Sequence, residues 1–587
     1  MAGTSAAASV GTEDEPTASA AVPSSTHGAQ QQPPTPVKLK SVLDLYPTPV
    51  RRKITQAEKR ATRGGRCMFV MEEPASFDEA IEEESWQRAM EEEMSSIEEN
   101  DTWSLVNLPD GQRAIGVKWV YKVKKDSNGA VVKHKARLVA KGFLQQHGID
   151  FEEVFAPAAR TESVKLLIAL ATHEGWQLHH MDVKSAFLNG ELKEEMYVSQ
   201  PSGFVQKGGE HKVLKLRKAL YGLHQAPRAW YAKLHDTLLS LNFERCPHEH
   251  AMYKRGQGKS SLLVGVYVDD LVITGAEVLE IEKFKSQMKD LFKMSDLGLL
   301  SYYLGIEVHQ MPGYTTLCQE AYARKILEEH GMDDCYPAQA PMEARLKLSK
   351  QSSSPPVDQT MYRSIVGSLR YLVNTRPDLA YSVGIVSRYM ESPMTEHMAA
   401  VKQILRYVKG TMGLGCCYEK KKDNGEPRLT GYSDSDFAGD VDDRKSTTGM
   451  GSFLGTSMVS WLSQKQKVVA LSSCEAEYMA ATTAACKGVW LEYLLGNLLN
   501  RDPGKVVLNM DNKSAISLCK NPVHHDRSKH IDVRYHYIRD CVEEGKIEVE
   551  YVSTKDQLAD ILTKPLGRVK FLEMRKRIGL RVVKEPP

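Results

Sequence analysis

Leu262-Leu263-Val264-Gly265-Val266-Tyr267-Val268-Asp269-Asp270-Leu271-Val272-Ile273-Thr274-Gly275 is the stretch on which the fold of this chain turns. Two adjacent carboxylates, Asp269 and Asp270, interrupt two short apolar runs of strand-like composition. The pattern predicts a β-hairpin with the acids at its tip. Burying an unpaired carboxylate is expensive, so acids in that setting imply a cation, and the arrangement suits divalent-metal and phosphoryl-transfer chemistry. Asp333-Asp334 and Asp442-Asp443 lie in polar surroundings and read as solvated loops. A third acid, Asp182, stands upstream in His179-His180-Met181-Asp182-Val183-Lys184-Ser185-Ala186-Phe187-Leu188-Asn189-Gly190, before an apolar stretch and a turn signal at Asn189-Gly190. Three carboxylates from two segments can hold two metal ions roughly 4 Å apart.

That is the arrangement nucleotide polymerases use, and ordered strings elsewhere extend it. They are Trp119-Val120-Tyr121-Lys122-Val123-Lys124, Lys135-Ala136-Arg137-Leu138-Val139-Ala140-Lys141-Gly142-Phe143, Asp182 to Gly190, Leu220-Tyr221-Gly222-Leu223 and Tyr267-Val268-Asp269-Asp270. With these strings the chain resembles the reverse transcriptase–ribonuclease H region of Copia-type long-terminal-repeat retrotransposon polyproteins, over about residues 70 to 580. The resemblance implies an α+β multidomain fold: a right-hand polymerase of fingers, palm and thumb, followed by a ribonuclease H-like α/β domain. Residues 71–310 would form the fingers and palm, 311–425 a thumb or connection region, and 426–587 the ribonuclease H-like domain, after a low-complexity and basic linker over 1–70.

Composition fits several domains. At 587 residues, about 100–200 residues per domain predicts three to five units, and 42% apolar content can fill their cores. The net charge of +2 announces no nucleic-acid partner, so any basic groove must come from local clustering. Ten cysteines show no CxxC pair or zinc-ligand spacing, which reads as free thiols in a reducing compartment. No run approaches the ~18 apolar residues of a membrane span, and the Ala/Ser/Thr-rich start lacks the apolar core of a signal peptide.

Residues 1 to 45 are expected to be disordered, and Arg51 to Arg66, with seven basic residues and one acid, to be a solvated linker. Ser76-Phe77-Asp78-Glu79 is a capping box. It predicts a helix with Phe77, Ile81, Trp86, Met90, Met94 and Ile97 on one stripe and Glu91-Glu92-Glu93 on its solvent face. Residues 113–145 read as strands joined at Ser127-Asn128-Gly129. A helix over 158–175 and the Asp182 segment would begin the palm, and residues 210–275 complete it. Leu297 to Val308 resembles the strand pair that grips a primer end. Gln351 to Pro356 reads as a linker, 358–412 as mainly helical, and Lys420 to Glu426 as a polar break.

A second set of isolated acids lies in residues 429–565. By resemblance to the ribonuclease H fold, Asp434 falls on the first strand, Glu477 on the first helix, Asp511 at a strand end after Val506-Val507-Leu508, and Asp560 at the opening of the last helix. These four would be the metal-binding set. Asp436 would share the face of Asp434 on a strand. Of Glu475 and Glu477, only one can face a shared site on a helix, and the family pattern favours Glu477. No His lies between Tyr537 and Asp560, where retroviral ribonuclease H domains carry one. His530 and His536 lie nearby in sequence, and helix spacing and surface exposure account for them.

The resemblance assigns Asp182 and Asp269 as metal ligands, with Asp270 as a supporting acid. It implies Mg²⁺, or alternatively Mn²⁺, as two ions per active site. Phe187 would block a nucleotide 2′-hydroxyl. Lys133, Lys135 and Arg137 alternate on a strand, and this basic face could grip a triphosphate, as could a simple solvated face. Tyr221 and Gly222 would lie under the template–nucleotide pair, with Gly222 allowing close backbone approach. The expected partners are an RNA template, a DNA primer, an RNA–DNA hybrid and deoxynucleoside triphosphates, with element capsid and integrase as further partners and no membrane. The family's life cycle implies cytoplasmic virus-like particles with later nuclear entry. The alternative is an inert or domesticated element fragment that at most binds nucleic acid.

Overall fold

The computed structural model describes residues 73–125, 130–420, 425–521 and 531–583. The low-complexity start, the basic segment 51–66, the turn at Ser127-Asn128-Gly129, residues 421–424 of the polar break and His530 lie outside the described residues.

Leu262–Tyr267 and Asp270–Gly275 pair antiparallel, with Tyr267 opposite Asp270 across a turn of Val268 and Asp269. The hairpin lies within a six-stranded antiparallel sheet ordered Met294–Leu299, Leu178–Val183, Asp270–Gly275, Leu262–Tyr267, Met252–Arg255, Glu244–Arg245. The hairpin's own two strands read as near-continuous apolar runs because both faces are covered. Leu263 and Val272 share a core with Leu166 and Leu170 of the helix Thr161–Glu174. Val264, Val266 and Ile273 share another with Trp230 of Ala226–Ser240 and Phe284 of Val278–Leu291.

Helix Thr161–Glu174 is buried on every side from Ser163 to Thr172 and stops at Gly175, whose φ of 74° is the left-handed end that glycine permits. Its outer side is closed by the C-terminal half of the chain. Lys165 Nζ lies 3.4 Å from the ring centre of Trp461, and Glu162 pairs with Lys487 at 2.9 Å. That half is built on a five-stranded sheet ordered Ser457–Lys465, Thr447–Leu454, Leu429–Ser435, Val506–Met510, Ile547–Tyr551. The first three strands are antiparallel; Val506–Met510 runs parallel to Leu429–Ser435, and Ile547–Tyr551 parallel to Val506–Met510. Helix Ser473–Leu499, capped by Ser472, packs on this sheet. No helix among the described residues is long and apolar enough to cross a membrane.

Several expectations are corrected. The single N-terminal helix is two: Phe77–Ala80, capped by Ser76, then Glu84–Glu99, with Ile81 exposed at the break. Glu93 is not on a solvent face. The stripe of Met90, Met94 and Ile97 carries it inward, where it pairs with Arg137 at 3.3 Å and accepts from the backbone N–H of Leu138. The boundary expected at 310/311 cuts the strand Ile306–Met311. That strand belongs to a sheet of Tyr302–Tyr303, Ile306–Met311, Tyr314–Cys318, Leu414–Glu419 and Leu580–Val582. The end of the chain thus returns to the middle region, a pairing too distant in sequence to leave a local signal. Gln557 to Leu562 opens a 3-10 turn, and the last helix starts only at Arg568. Asp442 accepts from Ser349 and Lys350, and Asp443 pairs with Lys465, so this pair is engaged rather than merely solvated.

The helices of the middle region, Gln359–Leu372, Ala380–Val386 and Thr395–Lys409, surround a buried ion pair. Arg376 donates to both oxygens of Asp378 at 2.9 and 2.8 Å, and Tyr407 also donates to Asp378. Removing one member strands the other charge, at about 3–5 kcal/mol. Arg376→Leu is therefore expected to lower the urea midpoint strongly, and the Arg376→Leu/Asp378→Leu double variant to recover part of the loss. A double variant as damaged as the sum of both single ones would remove this pair from the account.

Candidate active sites

The first site sits at the hairpin tip. The register places Asp182 directly opposite Asp270, and the backbone N–H of Val183 donates to the Asp269 carbonyl at 2.9 Å. Val268 has φ of 56°, a conformation that is an outlier for a β-branched residue. Its carbonyl accepts from Trp230 Nε1 at 2.6 Å, which anchors the turn to the helix behind it. Burial, then the neighbouring Asp270, then Asp182, raise the Asp269 carboxyl above its ordinary value. Lys184 pairs with Asp182, and His180 Nε2 lies 2.7 Å from Asp270 Oδ1. Lys184 and His180 thus each take one of the acids, which are less tightly gathered than those of the second site.

The other sequence candidates lie beside the acids. Phe187, on the short turn Ala186–Asn189, packs tilted against Tyr221 with ring centres 4.8 Å apart. The Arg137 guanidinium lies 4.3 Å from the Tyr221 ring centre, and the charges of Asp269 and Asp182 act on Tyr221. Lys135 shares the strand Val131–Ala140; burial, then Arg137, lower its ammonium to about 8, while Glu93 and Asp182 oppose that shift. Lys133 instead turns to Glu92 at 2.7 Å. Gly222 has φ of 91°, and a Cβ there would come within 2.2 Å of the Ala140 carbonyl oxygen, so no other residue fits.

The second site gathers tighter. Ligand oxygens of Asp434, Asp511 and Asp560 all lie within 4.8 Å of one another. Asp434 comes from the strand Leu429–Ser435, Asp511 follows Val506–Met510, and Asp560 lies on the 3-10 turn Leu558–Leu562. Glu477 reaches in from the first turns of Ser473–Leu499, and its Oε2 is buried without a hydrogen-bond partner. Burial, then Asp434, then Asp511, push its carboxyl up to about 9; burial, then Asp434, push Asp560 to about 6. Glu475 turns back to accept from the Leu471 N–H at 2.8 Å, and Asp436 accepts from the backbone N–H of Thr447. His536 lies 3.0 Å from the Tyr478 hydroxyl, a partner within the fold. Clustered hard oxygens, repelling one another and including an orphaned one, fit a divalent cation such as Mg²⁺.

Sequence reasoning missed four neighbours. His180 stands two residues before Asp182 on the same strand face, a spacing that could have revealed it. Glu93 was readable from the apolar stripe around it. Lys564 pairs with Asp560 at 2.7 Å and lies 3.6 Å from Asp434, while Thr563 donates to Asp434. Nothing in the local sequence singles out these last two.

A family model described as reverse transcriptase (RNA-dependent DNA polymerase) matches residues 100–344. The chain is 41% identical over 521 residues to the retrovirus-related Pol polyprotein from transposon TNT 1-94 of Nicotiana tabacum, covering 86% of this chain and 39% of that protein. It thus spans about two fifths of that relative's length. It is 34% identical over 305 residues to a transposon Ty5-1 protein of Saccharomyces cerevisiae, covering 51% of this chain and 98% of that one. A solved foamy viral protease–reverse transcriptase in complex with RNA/DNA hybrid aligns with a TM-score of 0.46 and 14% identity, over 80% of this chain and 54% of that one.

The raised Glu477 carboxyl sets a pH dependence for the metal-free chain. A group whose folded value lies above its unfolded one contributes stability that is complete below the ordinary 4.5 and lost as pH rises through about 9. Melting temperature is expected to fall across that window in chelator, and Glu477→Gln to flatten the fall. An equally steep profile in Glu477→Gln would assign the effect to other groups.

Proposed function

The chain belongs to the reverse transcriptase family of Copia-type retrotransposon Pol polyproteins, and we propose that it is an RNA-directed DNA polymerase with a second, RNA–DNA hybrid-cleaving centre. The observation that carries this reading is the register that sets Asp182 opposite Asp270, with Asp269 in the turn between strands. The residues from 73 up to the sheet that begins at Tyr302–Tyr303 would act as fingers and palm, the region of that sheet with its returning Leu580–Val582 strand as thumb or connection, and the sheet carrying Asp434 as a ribonuclease H-like domain.

Asp182 and Asp269 would hold the ions of the polymerase site, and Asp434, Glu477, Asp511 and Asp560 those of the second. Bound Mg²⁺ supplies nucleophile activation and neutralises the triphosphate or scissile phosphate. Asp270, within hydrogen-bond distance of His180, would be a supporting acid beside the ligand pair. Phe187, braced by Tyr221, would lie against the sugar of the incoming nucleotide and exclude a 2′-hydroxyl. Arg137, held between Glu93 and Tyr221, and Lys135 would meet triphosphate oxygens. The second site would cut RNA in a hybrid, read by groove shape and 2′-hydroxyls rather than sequence. Template, primer and hybrid are thus the proposed partners, and virus-like particles in the cytoplasm the proposed location.

Primer extension on an RNA template with Mg²⁺ tests the reading. Wild type is expected to extend, Asp269→Asn to lose at least about a thousandfold in rate (over 4 kcal/mol), and Asp434→Asn to keep extension while losing hybrid cleavage. A folded wild type inactive in both assays would favour an inert fragment. Phe187→Val is expected to raise ribonucleotide incorporation relative to deoxyribonucleotide; an unchanged ratio would return Phe187 to the core.

A further inference from the structure

Outside the two carboxylate sets, the strands Ile306–Met311 and Tyr314–Cys318 bring three unlike side chains to one face. Glu307 stands directly opposite Cys318 in the antiparallel register. His309 follows two residues along the same strand, so the period of two puts it on that face as well. Cys318 Sγ lies 3.4 Å from Glu307 Oε2 and 3.6 Å from His309 Nε2, and those two atoms are 4.0 Å apart.

A triangle with these sides has a circumradius of about 2.1 Å, so an ion just off its plane sits about 2.1–2.3 Å from all three atoms. Zinc takes thiolate sulfur at about 2.3 Å and imidazole nitrogen and carboxylate oxygen at about 2.0–2.2 Å. The side chains therefore need little movement to become ligands. Glu307 is also fixed from behind, because its Oε1 accepts from the backbone N–H of Ala321 at 2.9 Å. Cys318 is buried while Glu307 and His309 are partly exposed, which leaves an ion a way in and water a fourth position. Sulfur and imidazole select a borderline cation over Mg²⁺, which prefers oxygen and keeps its waters.

We propose that Glu307, His309 and Cys318 form a Zn²⁺ site, distinct from the Mg²⁺-type centres. On binding, the Cys318 S–H bond breaks, sulfur keeps the electron pair as the thiolate ligand, and one proton leaves to solvent for each ion bound. Through Glu307 and Ala321 the ion ties the hairpin to the start of helix Glu320–Glu329.

Co²⁺ titration of the full chain, with excess Mg²⁺ present to fill the carboxylate centres, reads this site directly. Wild type is expected to develop a sulfur-to-cobalt charge-transfer band at one equivalent, with release of one proton, and Zn²⁺ to displace it. Cys318→Ser is expected to abolish the band. His309→Gln, at a partly exposed position, is expected to weaken binding about tenfold or more and serves if Cys318→Ser does not fold. A band that survives unchanged in either variant, or no band in wild type, overturns the site.

Discussion

Buried carboxylates repel one another, and much of this structure is arranged around that repulsion. Desolvation and mutual charge both disfavour the ionised state, so a protein that gathers such groups must hold them rigidly and supply positive charge. Asp434, Asp511 and Asp560 are drawn together from two strand ends and a 3-10 turn, and Glu477 joins them from a helix. The sheet and helix behind them are apolar enough to keep those backbones fixed. Lys564 offsets part of the repulsion. The hairpin site answers the same constraint differently: Lys184 and His180 each take one acid, and Asp269 stays at the turn with its carboxyl raised.

Strain adds to this at the hairpin. A two-residue turn needs positive φ, and here Val268 adopts it where glycine or asparagine would do so at little cost. Trp230 donates to the Val268 carbonyl and is itself buried against Phe292, so the turn is held from its inner side. Local strain of this kind persists only where the surroundings over-determine it. The immediate consequence is a fixed height for Asp269 above Asp182.

The two halves are coupled by packing rather than by a tether. Helix Thr161–Glu174 lies beneath the hairpin sheet and also meets the C-terminal half, through Lys165 with Trp461 and Glu162 with Lys487. Trp490 adds a bond to the His248 carbonyl, and Lys254 bonds to Asn497. The helix itself was legible, but its second neighbour was not, since nothing in residues 161–174 specifies Trp461. The hairpin and the order of the acids were legible because each is a local string. The approach of Lys564 to Asp434 and the Leu580–Val582 strand were not, because each depends on which distant backbone closes over it.

Chemistry at the hairpin depends on that closure. Arg137, whose charge acts on Asp269, is held by Glu93, which pairs with its guanidinium, and by Tyr221, whose ring lies beneath it. Glu93 is itself buried, and its carboxyl is raised by desolvation against the pull of Arg137. The arrangement is therefore a chain of partial compensations: a buried acid holds a cation, and the cation sits on an aromatic ring. The same ring braces Phe187. Tyr221 is thus the point where the basic strand, the turn after Asp182 and Gly222 meet, and Gly222 must lack a side chain because Ala140 lies against it. A triphosphate entering between Arg137 and the acids would meet a basic face whose position is set from behind, by groups that never touch it.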